Sequence, residues 1–323
     1  MNASPCTMNI TSVLARAYEK RASLFGDGDT TCFRLVNSAG DGLDGICVDW
    51  YDGFVLIQLY RDLGERELKC VIAAFRDSLS LLPLPARGLL LKRRPASASG
   101  DAAAVRSVLI EGEYPPPSFI VRQNGVRAVV DLIHGLNTGI FLDMREVRAR
   151  LSSYIGSTDA MLNLFCYTGL FSVHALVHGA SSAVNVDLSK TALSRAKTNY
   201  GLNGLRVDDR DFIRGDAIAW ARRFMKKGLP FTIAVFDPPT FARNKSRTFS
   251  TKRNYRESLA VLDACVSEGH VLTSVNTRSI PTDEYRSFHP SWWRPEFIMH
   301  EPSDFPIADI PYLKVGLWRV KKP

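Results

Sequence analysis

From residue 160 onward, short apolar runs alternate with segments of helical period, and three of the first five runs end beside a glycine or an aspartate. The runs are Met161–Phe165, Ala183–Val186, Asp211–Arg214, Phe231–Phe236 and His270–Val275. Helical segments follow the first four: Leu170–His178, Ser189–Tyr200 with Ser189 as N-cap, Ala217–Lys226 and Tyr255–Glu268. Two further strands, Glu296–His300 and Lys314–Val320, finish the pattern. Strands joined by helices predict a doubly wound, mostly parallel α/β sheet. In such a sheet the ligand lies beyond the C-terminal strand ends, and those ends carry the informative residues.

The first strand runs into Thr168-Gly169, a tight turn before a helix N-terminus, where the backbone can approach a ligand closely. The second ends in Asp187-Leu188-Ser189, an acidic position suited to ribose hydroxyls. The third ends in Gly215-Asp216-Ala217, placing a carboxylate where an adenine amino group can donate. The fourth ends in Asp237-Pro238-Pro239-Thr240-Phe241, a stiff wall for a flat substrate. Each also has a plain reading: Gly169 as a turn, Asp187 and Asp216 as helix N-terminal charges, Asp237 as the start of a turn. The ordered set of four favours a nucleoside-bearing cofactor. A nicotinamide dinucleotide is disfavoured, since Gly-x-Gly-x-x-Gly is absent from the first turn.

Ahead of this lies a different texture. Residues 1–122 read as a small α+β domain with a possible RNA-binding role. It has a helix over Val13–Phe25, strands Cys32–Val36, Gly45–Asp49 and Phe54–Leu59, an amphipathic helix Leu68–Leu82, a short strand Gly88–Leu91 and a small-residue loop at 95–104. Asn124-Gly125 signals a hairpin that opens a second domain, 123–323. Among 323 residues the formal charge is +8, which favours polyanionic partners, and basic residues cluster at 92–94, 222–227 and 243–253. No apolar run approaches the roughly 20 residues a membrane span needs, and no signal-peptide core is visible, so a cytoplasmic location is expected. Six scattered cysteines without a Cys-x-x-Cys pair fit free thiols. His174 and His178 stand four apart, as a metal pair would, but helix packing is the simpler reading and no metal is expected.

The residues then become recognisable. Phe33-Arg-Leu-Val-Asn37, Asp41-Gly-Leu-Asp-Gly-Ile-Cys-Val-Asp-Trp-Tyr51, Gly135-Leu-Asn-Thr-Gly-Ile-Phe-Leu-Asp-Met-Arg145, Leu164-Phe-Cys-Tyr-Thr-Gly169, Val186-Asp-Leu-Ser189, Asn199 to Gly204 and Asp237 to Lys245 together resemble the ribosomal RNA large-subunit methyltransferases of the I and K/L kind. The resemblance implies a Rossmann-like class I methyltransferase fold with an antiparallel last strand, and S-adenosylmethionine as cofactor. It implies that Asn137, Thr138, Phe141, Asp143 and Arg145 close over the cofactor, with Phe165, Tyr167, Thr168 and Gly169 beneath it. Asp187 and Leu188 would hold the ribose, Asp216 and Ala217 the adenine, and Asp237 borders the cofactor as well as the base. Asn137 departs from the family's lysine, and the chain begins too late for the front RNA-binding (PUA) domain of the I kind.

Members that make 5-methylcytosine attack the ring with a cysteine in a Ser-Cys-Ser segment, because C5 is a poor nucleophile without a covalent adduct. Here that place reads Leu272-Thr-Ser-Val-Asn-Thr-Arg278, without cysteine, and Cys265 lies too early. The segment is nearer the K/L kind, whose relevant half makes 7-methylguanine. Asp237, Asn276, Pro238 and Pro239 are therefore assigned to base placement. Phe241 is assigned to stacking, and Arg243, Lys245 and Arg247 to RNA phosphates, against the plain reading of a solvated basic loop. Large-subunit ribosomal RNA is the expected partner; a homodimer is allowed. The alternatives are a 5-methylcytosine enzyme or a non-catalytic RNA-binding or assembly factor that kept the fold. Trp292-Trp293 reads as a core plug or an exposed platform, and 301–311 as a rigid loop bordering the substrate.

Overall fold

The structure is a computed structural model that describes residues 5–94, 105–229, 231–239, 241–243, 248–266 and 268–321. The chain divides into two compact units, Met1–Asp143 with Pro302–Asp309, and Met144–Glu301 with Ile310–Pro323.

The first unit opens with α1 (Pro5–Lys20) and α2 (Ala22–Phe25), where the sequence suggested one helix over 13–25. The break falls at Arg21, a fully buried residue whose guanidinium grips the Asp41 carboxylate at 2.9 and 2.6 Å and the Asp304 carbonyl at 2.8 Å. Then come β1 (Cys32–Asn37), β2 (Ile46–Tyr51), β3 (Phe54–Leu59), α3 (Glu65–Ser78), β4 (Gly88–Arg93) and β5 (Ser107–Gly112), forming one sheet in chain order. Neighbours are antiparallel except β3 and β4, which are parallel and joined through α3. Alternate residues Val48, Trp50, Val55, Ile57, Leu89 and Leu91 face a core shared with Leu14, Val71 and Phe75 of α1 and α3.

A separate hairpin, β6 (Phe119–Gln123) and β7 (Val126–Val130), turns at Asn124-Gly125, both with φ above zero (50° and 75°), as a two-residue type I′ turn demands. It falls within the first unit, although the change in sequence texture at 123 assigned it to the second. The segment 302–309 also belongs to the first unit: Phe305 lies under the Arg34 guanidinium, and a Cβ on Gly40 would meet the Pro306 carbonyl at 1.8 Å.

The second unit contains α4 (Arg145–Ser152), β8 (Ala160–Leu164), α5 (Leu170–Val177), β9 (Ser182–Asp187), α6 (Lys190–Leu202), β10 (Phe212–Arg214), α7 (Ala217–Lys227), β11 (Ile233–Phe236), β12 (Phe241–Arg243), β13 (Thr248–Ser250), α8 (Thr251–Cys265), β14 (Glu268–Asn276), α9 (Thr282–Ser287), β15 (Arg294–Met299) and β16 (Leu313–Lys321). Its seven-stranded sheet has the order β10-β9-β8-β11-β14-β16-β15. The first five strands are parallel, and the last in sequence, β16, inserts antiparallel between β14 and β15. The strands are apolar on both sides because both faces are covered. Along β11, Ile233 and Val235 join Met161, Val147 and Phe171 on one side, whereas Ala234 and Phe236 join Leu162, Tyr255 and Leu262 on the other. The chain winds outward in both directions from β8, so the crevice of the fold opens at the C-terminal ends of β8 and its neighbours. No helix among the described residues is long and apolar enough to cross a membrane.

Candidate active site

After β8 the backbone enters the left-handed region three times in five residues, at Phe165 (φ 57°), Tyr167 (51°) and Gly169 (72°). Two of these are not glycine, and each such residue costs on the order of 1–3 kcal/mol unless its surroundings impose it. The surroundings do. The Cys166 N–H donates to Val186 O at 3.1 Å, the Tyr167 N–H to Asp187 Oδ2 at 2.9 Å, and the Gly169 N–H to Cys166 O at 2.8 Å. Asn199, fully buried on α6, donates to the Thr168 carbonyl at 2.9 Å. A Cβ on Gly169 would sit 3.0 Å from Ala196 Cβ, so glycine serves both the turn and the approach of α6. Beneath it lies a buried polar chain. Asn163 Nδ2 donates to Ser172 Oγ (2.9 Å), Ser172 to Asn185 Oδ1 (2.8 Å), and Asn185 Nδ2 to Tyr200 OH (2.7 Å). Burial pushes the Tyr200 hydroxyl up to about 12, so it remains protonated.

Asp187 is the hinge of the arrangement. Its second oxygen accepts the Ser189 N–H at 2.8 Å, and its backbone carbonyl accepts the Gly215 N–H at 3.0 Å, linking the exits of β8, β9 and β10. Ser189 in turn caps α6 by accepting from the Ala192 N–H. Asp216 caps α7, its Oδ1 accepting the Ala219 N–H at 2.8 Å, so its plain reading as a helix cap is a structural fact. A carboxylate offers about four lone-pair sites, enough for a cap and a ligand together. Leu188 is exposed and Ala217 buried on either side of this edge.

At the end of β11, half-buried Asp237 accepts a short hydrogen bond from Ser274 Oγ of β14. The parallel register Phe236↔Thr273 puts them side by side. Ser274 is fully buried, and its carbonyl accepts the Tyr255 hydroxyl at 2.8 Å. Thr273 is tied to Tyr285, His289 and Trp318 at 2.6, 2.8 and 2.9 Å. His289 Nδ1 faces only backbone carbonyls and must carry the proton, so Nε2 accepts from Thr273. Burial presses its imidazole down to about 4. Asn276 lies two residues past Ser274, on the same side of the strand by period and exposed. Pro238 is buried and Pro239 exposed.

No thiol is presented beside this pair by the cysteines whose side chains are described. Cys265 is buried on α8 with its Sγ on the Ala221 carbonyl at 3.3 Å. Cys166 is buried too, and burial with the Asp187 charge pushes its thiol well up, away from the thiolate a nucleophile needs.

The segment 137–143 lies in the first unit. Thr138 is buried with its hydroxyl 3.0 Å from Tyr51 OH, Phe141 is 38% exposed, and Asp143 sits in a 3-10 turn, Leu142–Met144. Arg145 begins α4 in the second unit, nearly buried. Phe241 and Arg243 lie on β12, paired with β13 as a small hairpin, and Lys245 and Arg247 fall outside the described residues.

The surface expectation for the basic run at 92–94 changes in three dimensions. Lys92 is fully buried, its ammonium on the Gly135 carbonyl, so this basic cluster is in part internal. His178 Nδ1 bonds the His174 carbonyl at 2.8 Å, the packing arrangement. Trp293 is core and Trp292 is exposed, both indole N–H groups donating to Asp263 Oδ1. Sequence reasoning quoted Tyr51, Ser274 and Asn199 within longer segments but gave none of them a role, and it gave none to the Tyr255 hydroxyl, because their partners lie on other elements.

A parallel sheet wound outward from β8, closed by an inserted antiparallel strand and edged by a strained turn and successive carboxylates, is the frame of a Rossmann-like methyltransferase. Residues 33–309 match the S-adenosylmethionine-dependent methyltransferase family, and the chain belongs to it. The putative ribosomal RNA large subunit methyltransferase YwbD of Bacillus subtilis is 34% identical over 281 residues, 86% of this chain and 69% of its own length. Ribosomal RNA large subunit methyltransferase I of Aeromonas salmonicida is 34% identical over 259 residues, 80% of this chain and 64% of that protein. The solved structure of SMU.776, a putative methyltransferase complexed with SAH, superposes with a TM-score of 0.88 at 28% identity, covering 99% of this chain and 83% of that one. S-adenosylmethionine is thus the cofactor the site must fit. The glycine turn, the exposed Leu188 edge and the carboxylates of Asp187 and Asp216 suit its apolar, hydroxyl and amino parts.

Proposed function

We propose that this chain transfers a methyl group to a base of large-subunit ribosomal RNA in the cytoplasm, with guanine N7 the foremost target and no covalent enzyme–base intermediate. The observation that carries the reading is the Ser274–Asp237 pair: the end of β11 bears a clamped carboxylate, with the amide of Asn276 two residues past Ser274 on β14. The names of the two ribosomal RNA methyltransferases above support the substrate class.

When bound, S-adenosylmethionine supplies a methyl group on a positively charged sulfur. Guanine N7 already has a free lone pair, so the chain need only hold it in line with that methyl, and positioning supplies the catalysis. In this reading the Asp237 carboxylate accepts the N1 and N2 protons of guanine, and the Asn276 amide donates to O6. Pro238 and Pro239 keep the wall rigid, Phe241 stacks on an unpaired base, and Arg243, Lys245 and Arg247 hold phosphates. Asp187 with Leu188 receives the ribose, Asp216 with Ala217 the adenine, and the turn Phe165–Gly169 the remainder of the cofactor. Asn137, Thr138, Phe141, Asp143 and Arg145 are assigned to the same ligand.

The test is transfer of labelled methyl to ribosomal RNA from a strain lacking the gene, followed by nucleoside analysis. Labelled 7-methylguanine that disappears in Asp237→Ala and Asn276→Ala is expected. Labelled 5-methylcytosine would overturn the non-covalent reading, and tight cofactor binding without label on RNA would overturn the substrate.

A further inference from the structure

In the first unit, one side of the β1–β5 sheet packs on α1 and α3, while residues of the opposite parity place a polar row on the other side. Asp49, Gln58, Lys92 and Tyr51 are each no more than 4% exposed. Asp49 takes the Arg34 guanidinium at 2.6 Å and the Gln58 amide at 2.5 Å, and Gln58 Oε1 takes Arg94 at 2.7 Å. Burying so many polar groups is unfavourable unless each is hydrogen-bonded.

Lys92 and Tyr51 of this row, with Arg94, bind one stretch of chain, residues 135–138. Lys92 Nζ donates to the Gly135 carbonyl at 3.0 Å and Arg94 to the Leu136 carbonyl at 3.1 Å. Arg94 also reaches Asn137 Oδ1 at 3.4 Å, and Tyr51 OH meets Thr138 Oγ1 at 3.0 Å. Four consecutive residues are thereby held by three side chains. The stretch needs outside anchors, because Gly135 and Gly139 both have positive φ (73° and 109°) and glycine leaves the backbone permissive.

We infer that Tyr51, Lys92 and Arg94 are positioning residues that set the cofactor-binding geometry of Thr138, an inference that rests on the assignment of Thr138 and Asp143 to the cofactor. Burial holds the Tyr51 hydroxyl well above the usual phenol range, so it keeps its proton and can donate to Thr138.

The experiment uses the full chain, with S-adenosylhomocysteine binding measured calorimetrically. Tyr51→Phe removes one oxygen and keeps the ring. It should weaken binding about fivefold, the scale of one lost hydrogen bond. It should also raise the KM for S-adenosylmethionine with kcat unchanged at saturation. Thr138→Val should weaken binding similarly, Thr138→Ser should bind as wild type, and the Tyr51→Phe/Thr138→Val double variant should be no weaker than the weaker single. Asp143→Ala, expected to weaken binding, reports on the underlying assignment. Wild-type affinity in Tyr51→Phe while Asp143→Ala binds weakly would overturn the positioning role alone. Wild-type affinity in both Asp143→Ala and Thr138→Val would overturn the assignment, and the role with it.

Discussion

Asp187 accepts the backbone N–H of Tyr167 at 2.9 Å while Tyr167 itself sits in the left-handed region at φ 51°. A carboxylate at the end of one strand therefore holds the strained turn at the end of its neighbour. The side chain proposed for the ribose also stabilises the turn proposed for the rest of the cofactor, so the two roles fall together when Asp187 is altered.

Replacing Asp187 by Asn puts an NH2 group where an acceptor is needed, opposite Tyr167 or Ser189. Stability should drop by about 1 kcal/mol, the scale of one lost hydrogen bond, and S-adenosylhomocysteine affinity should drop at least tenfold. Urea unfolding and calorimetry read the two effects; unchanged affinity would remove Asp187 from the ribose.

Gly169→Ala forces a Cβ into a turn with φ 72° and to 3.0 Å from Ala196 Cβ. A loss on the order of 1–2 kcal/mol is expected from the backbone alone, visible as a lower urea midpoint with unchanged slope. An unaffected midpoint would mean the turn relaxes without cost.

Ser274→Ala removes the hydrogen bond that Ser274 donates to the Asp237 carboxylate. The value of kcat/KM for RNA should fall roughly tenfold, one charge-assisted hydrogen bond, with S-adenosylhomocysteine binding unchanged. Equal loss of cofactor affinity would assign the pair to the cofactor instead of the base.

Cys166→Ala and Cys265→Ala should leave the identity of the methylated nucleoside unchanged, since both thiols are buried and that of Cys265 lies on the Ala221 carbonyl. Product loss confined to either variant, with folding intact, would restore a covalent route.

His289 is buried and neutral, its imidazole pressed to about 4 from the ordinary 6.5. The unfolded chain binds the proton more readily, so this group's contribution is fully present above pH 6.5 and is lost as pH falls toward 4. The loss is on the order of 3 kcal/mol. Chemical unfolding across that window should show a steeper decline for wild type than for His289→Asn; parallel curves would count against a buried neutral imidazole.

Much of this was legible locally. Period-two and period-3.6 patterns place Gly169, Asp187, Asp216 and Asp237 at strand ends, and a parallel sheet puts all such ends on one edge, so the candidate site follows from chain order. The Asn124-Gly125 turn and the Ser189 cap are equally local. The sequence resemblance adds the cofactor and the expected antiparallel last strand. What it could not supply is which side chains meet across the fold. Ser274 reaches Asp237 over 37 positions, Lys92 reaches Gly135 over 43, and Tyr51 reaches Thr138 over 87. Each depends on sheet order and register, β14 beside β11 or a loop laid on the polar side of β2 and β4, and these are settled by long-range packing. The same packing turned a basic run at 92–94 into a partly buried anchor. The strand-end chemistry was therefore determined by the sequence through local periodicity, while the clamps that fix its geometry were decided only when the tertiary structure brought distant strands together.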